Sequence, residues 1–166
     1  MNEFIVDFEG FPINGVNYRI KELCVVNVNT EGYRQFMVQL RQEDFAALSA
    51  RDKGTYNWII ENHHGLPWHE ESDKHEMVTE AWLLQYLTNL SFKGTIWVKG
   101  SQKVNYLKRW LQVPIMSYES VIAQVGIEVC MAADHCGFLH HRHIPHCSTR
   151  KATALAKKLR ELRGDD

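Results

Sequence analysis

Two groups of side chains in this sequence have the types and spacing to do chemistry. The first is Asp7 and Glu9, within Phe4-Ile-Val-Asp-Phe-Glu-Gly-Phe11. Large apolar residues alternate with the acids, the period-two pattern of a strand, and residues i and i+2 of a strand share one face. Two carboxylates so placed can share divalent cations that activate water for phosphodiester cleavage. On its own an Asp-x-Glu triplet is common on surface strands. The second group is Cys136-x3-His140-x6-Cys147, in a stretch that also holds Cys130, His135, His141, His143 and His146. Zinc takes four ligands in a tetrahedron, with thiolate and imidazole preferred. Cys136, His140 and Cys147 supply three at loop-compatible spacing, His141 or His143 can replace His140, and a fourth must come from elsewhere. Four protein ligands leave no place for water, so such a zinc is structural.

Composition bounds what these groups can serve. A chain of 166 residues is expected to form a single domain over 1–166, burying roughly two-thirds of its unfolded surface without disulfide help. The start lacks a basic region followed by a long apolar run, so no secretory signal is expected, and a reducing intracellular setting, cytoplasm or nucleus, is the default. No apolar stretch approaches the roughly 18 residues of a spanning helix, so no membrane role is expected. The net charge of -1 argues against a strong overall nucleic-acid field. The charges are unevenly placed, however: Lys99, Lys103, Lys108 and Arg109 cluster in one segment and Arg150, Lys151, Lys157 and Lys158 in the last. That distribution points to a local basic face.

The elements that must position these groups follow from periodicity. Phe4–Phe11 reads as a strand, Asn14-Gly15 as a hairpin turn, and Tyr18–Val28 and Tyr33–Leu40 as the returning strands of an antiparallel meander. Thr55 is expected to cap a helix over Tyr56–His63, ended by Gly65. Asp73 and Glu76 resemble a capping box that opens a helix through Leu90, which Gly94 ends. Thr95–Val98 reads as a buried strand, Gln102–Leu111 as a helix, Ile115–Tyr118 as a fifth short strand and Thr149–Arg163 as a closing helix. The sum is a three-layer α/β domain whose later strands run parallel to the first. His63-His-Gly-Leu-Pro-Trp-His69 looks metal-like, but Gly65 and Pro67 fit a helix stop, and Trp58 and Trp68 fit packing beneath it. Cys24, amid Leu23, Val25 and Val26, reads as core.

Asp7-Phe-Glu-Gly on a first strand, Ile20-Lys-Glu-Leu-Cys-Val-Val26 on a returning one, His64-Gly-Leu at a helix stop, Trp97-Val-Lys-Gly, and His146-x-Ser-x-x-x-Ala152-x-x-x-Ala156 together resemble the DEDDh family of 3′-5′ exonucleases. The resemblance runs through nearly the whole chain and implies a ribonuclease H-like fold with a five-stranded mixed sheet. It matches Asp7 and Glu9 to the first two family acids and His146 to the general-base histidine. The other two acids have no counterpart: Ser101-Gln-Lys-Val-Asn-Tyr106 contains no carboxylate, and Lys151 stands five residues after His146. A lysine beside Asp7 and Glu9 would supply the charge that metals supply and would repel them. In that family the loop of Trp68 borders the substrate cleft, where its ring can stack on a base.

The cysteines and histidines are similar to the Maelstrom domain, a branch of the same fold in which the catalytic acids are lost and a Glu-Cys-His-Cys set binds zinc. The implied set is Glu22, Cys136, His140 and Cys147. The retained Asp7 and Glu9 depart from that pattern. These resemblances imply a zinc-stabilised, catalytically degraded exonuclease-fold domain without catalytic residues. It would bind single-stranded RNA through Lys99, Lys103, Lys108, Arg109, Arg150, Lys157 and Lys158, with an unidentified protein partner, in an RNA-silencing or gene-regulatory complex. The alternatives are an active single-strand-specific nuclease, either metal-dependent or a Maelstrom-like endoribonuclease, and a protein-interaction scaffold that binds no nucleic acid.

Overall fold

The computed structural model describes residues 2–13, 17–68, 75–122 and 147–164. Strand β1 (Asn2–Ile13) pairs antiparallel with β2 (Asn17–Asn27), which pairs antiparallel with β3 (Tyr33–Val38). After helices α1 (Gln42–Ala46) and α2 (Ala50–Asn62), strand β4 (Glu76–Val78) adds parallel to β3. Helix α3 (Glu80–Lys93) leads to β5 (Gly94–Val98), parallel to β1, and α4 (Ser101–Leu111) to β6 (Met116–Ser117), parallel to β5. Helix α5 (Glu119–Ile122) follows, and α6 (Ser148–Leu162) closes the described chain. The result is a six-stranded mixed sheet in the order β4-β3-β2-β1-β5-β6.

The meander and the two later parallel strands are those expected from periodicity. The sixth strand is a correction: Glu76-Met-Val78 has the pattern of a helix's first turn, yet it lies beside Phe36-Met-Val38, and Thr79 caps the helix that comes after it. A short apolar step continuous with a helical pattern is ambiguous by period alone. Likewise Ser49, not Thr55, caps the second helix, accepting from the Asp52 amide, while Thr55 lies inside and donates to Arg51 O. The Asn14-Gly15 turn lies outside the described residues.

Alternation along β1 and β2 divides the core. Phe4, Val6, Phe8, Leu23 and Val25 join one cluster with Leu83 and Leu87 of α3 and Val104 and Leu107 of α4. Ile5, Cys24 and Val26 face the other way and pack on Ala152, Leu155, Ala156 and Leu159 of α6. Cys24 is accordingly core, as its apolar neighbours imply. Asp7, Glu9 and Glu22 fall in register on the α6 side, because Asp7 pairs with Cys24 and Glu9 with Glu22. Among the described elements, α6 and the ends of neighbouring ones must therefore supply their partners.

Candidate functional site

The carboxylates of Asp7 and Glu9 are buried, at 2% and 1% exposure. Strand β1 bulges between Glu9 and Gly10, and its two edges close tightly there: a Cβ on Gly10 would stand 2.0 Å from Arg19 O. Side chains satisfy the backbone that the bulge removes from the ladder. Tyr18 Oη accepts from the Gly10 amide at 2.9 Å, and His64 Nε2 lies 2.8 Å from Gly10 O. The bulge thus fixes the end of β1 that carries the acids.

Two ammonium groups sit on the acid pair. Lys103, from the first turn of α4, places Nζ 2.9 Å from Asp7 Oδ1 and 3.2 Å from Glu9 Oε1. Lys151, from the first turn of α6, places Nζ 2.6 Å from Glu9 Oε1. His63, just past α2, brings Nε2 to 3.5 Å from Glu9 Oε2. Burial disfavours a charged Glu9, but Lys103, His63 and Lys151 outweigh it and hold its carboxyl well below the usual range. Burial pushes Asp7 upward, and the Glu9 charge adds to that push against the pull of both lysines. Among the described residues Asp7 Oδ2 is buried without a hydrogen-bond partner, which agrees with the upward direction. Burial also disfavours the Lys103 ammonium, yet Asp7 and Glu9 overcome it and keep that amine protonated.

A two-metal centre needs carboxylate oxygens open to cations and further acids around them. Here Asp7 Oδ1 and Glu9 Oε1 are taken by lysine amines at 2.6–3.2 Å, and α4 and α6 contribute positive charge to the pair. Among the described residues the chemistry of this donor set does not fit a pair of divalent cations. Lys151 and Lys103 neutralise the carboxylates instead. Lys103, expected from sequence to contact nucleic acid, has its amine on the acid pair.

Glu22, on the neighbouring strand, has 0% exposure. Its Oε2 lies 2.8 Å from His75 Nε2 and its Oε1 accepts from the Ser148 amide at 3.2 Å. A carboxylate at this place stands where the amino end of α6 concentrates positive potential. Glu22 does there what the side chain of the N-cap residue, Cys147, does not. Cys147 is buried, and the amide of its neighbour Ser148 donates to this carboxylate. Cys136 and His140 lie outside the described residues, as do His146, His135, His141, His143 and Cys130. Among the described residues no group of three or more His, Cys, Asp and Glu side chains is arranged to hold a metal.

The remaining basic residues divide. Lys99, Lys108, Arg109 and Lys157 are exposed, whereas Lys158 pairs with Glu161 at 3.4 Å and Arg150 is half-buried. Further along α6, Arg160 pairs with Glu31 and Arg163 with Glu3. Trp68 is buried at 5%, stacks on Tyr56 at 5.7 Å and donates to Arg41 O, so its ring belongs to the packing beneath α2. Spacing gave no sign of the parts played by His63, His64 and His75; each depends on a contact between distant segments.

No protein-family model matches the sequence, and no curated protein matches it. Among solved structures, the chain is similar to one described as the crystal structure of a full-length 3′-exonuclease. The TM-score is 0.50 at 17% identity, covering 98% of this chain and 82% of that one. The likeness establishes the fold: a ribonuclease H-like, exonuclease-type α/β sheet. No helix among the described residues is long and apolar enough to cross a membrane.

Proposed function

We propose that this chain is an exonuclease-fold domain that has exchanged metal-dependent cleavage for nucleic-acid binding, with single-stranded RNA as its ligand. The observation that carries the proposal is the seating of Lys103 and Lys151 on Asp7 and Glu9 at 2.6–3.2 Å. Two cations held covalently by the chain neutralise the acids without activating a water, because an ammonium offers protons and no Lewis-acid site. The Maelstrom-like pattern supports the zinc, which Glu22, Cys136, His140 and Cys147 would hold. When bound, the ion supplies folding energy, tying the start of α6 to β2. Glu22 and Cys147 are both buried, and the Ser148 amide next to Cys147 donates to Glu22, which supports that set. A role in an RNA-silencing or gene-regulatory complex, with a protein partner, rests on the same resemblance.

Labelled single-stranded RNA and DNA, incubated with the full chain and manganese or magnesium, provide the test. The expected result is retention of full-length RNA with binding that weakens as salt rises. Metal-stimulated 3′ trimming lost in Asp7→Ala would overturn the reading in favour of an active exonuclease. Absence of binding at any salt concentration would favour the scaffold.

A further inference from the structure

The two lysines are not exhausted by the acids they neutralise. An ammonium has three donor protons. Lys103 directs two at Asp7 Oδ1 and Glu9 Oε1, and Lys151 directs one at Glu9 Oε1. Their side chains keep 21% and 20% exposure, while the carboxylates beneath them keep 3% and 2%. The lysine side chains are therefore the more exposed part of the centre, and the acids lie beneath them. His63, at 40% exposure, lies on the other oxygen of Glu9.

We propose that Lys103 and Lys151 bind a phosphate group of a single-stranded nucleic acid at the acid pair, in place of metal ions, so that strand binding here is independent of divalent cations. This rests on the nucleic-acid-binding reading and assigns the contact point within it. The shared chemistry is a phosphate oxygen accepting from an ammonium; the group is either a terminal phosphate or an internal phosphodiester. No bond is made or broken.

Fluorescence anisotropy of short labelled RNAs, with 3′-hydroxyl and 3′-phosphate ends and with chelator present throughout, separates these possibilities. Lys151→Gln is expected to weaken binding about tenfold, the loss of one charge-assisted hydrogen bond, and Lys151→Arg to restore most of it. Tighter binding of the 3′-phosphate RNA identifies a terminal phosphate; equal binding identifies a phosphodiester. Lys93→Gln serves as the charge control. Lys93 adjoins Gly94, which pairs with Asn2. Five residues of strand, about 16 Å, then separate it from Asp7, beyond the Debye length of about 8 Å. Should Lys151→Gln destabilise the chain, amine acylation of the unaltered protein gives the second readout, with Lys151 expected to be protected by RNA. Equal losses in Lys151→Gln and Lys93→Gln, or Lys151 acylated as fast with RNA as without it, would overturn the assignment to the acid pair while leaving RNA binding intact. No binding by the unaltered chain would overturn both.

Discussion

A buried carboxylate pair needs compensating charge, and a lysine ammonium provides it at the cost of the openness that catalysis requires. Removing one cation leaves a buried acid uncompensated, which costs several kcal/mol. Lys103→Met and Lys151→Met are each expected to lose about 2–4 kcal/mol of unfolding free energy in urea at neutral pH. The two acids should respond unequally. Glu9 is held well below its ordinary 4.5. Its contribution is present above the unfolded value and disappears as pH falls through the lower folded one. Asp7 is raised, so its ionisation opposes folding at neutral pH and that cost is relieved as pH falls. Glu9→Gln should therefore destabilise by at least about 2 kcal/mol at pH 7, and Asp7→Asn by less than about 1 kcal/mol. Urea titrations of both variants between neutral pH and pH 4 check the asymmetry; equal losses would contradict it.

At the scale of elements, the alternating and helical patterns were legible wherever a segment had one buried face. The meander, the strand before Gly100 and the closing helix all read from spacing, whereas Lys151, whose amine lies on Glu9, was pointed to only by the exonuclease resemblance. Lys103 was not legible in that role. A lysine on the first turn of a helix looks like surface charge until the helix is docked beside β1. Strand β4 was missed because three residues running into a helix carry no period of their own. Two local devices are open to measurement. Gly10→Ala would drive a Cβ into Arg19 O and should cost about 3 kcal/mol or more, since backbone on both strands must shift. Thr79→Ala, which removes the hydroxyl accepting from the Trp82 amide, should cost about 1 kcal/mol. Urea midpoints with unchanged slopes would confirm that each acts on stability alone.

Across the whole molecule, basic residues that look like one face in sequence are partly matched with acids: Arg160 with Glu31, Arg163 with Glu3, Lys158 with Glu161. Exposed Lys99, Lys108 and Lys157 can meet phosphates beside Lys103 and Lys151, so affinity should fall with salt with a shallow slope of about two to four counterions. The zinc proposal has its own readout. Metal analysis should find zinc in the purified chain and none in Cys147→Ser, with lower thermal stability in the variant. The most direct measurement of the central claim is manganese binding to the unaltered chain, followed by calorimetry, beside a Lys103→Asp/Lys151→Asp double variant that turns two cations into two acids. The expected result is no manganese bound by the acid pair of the unaltered chain and clear binding by the variant. Manganese binding to the unaltered chain that Asp7→Ala abolishes would contradict it.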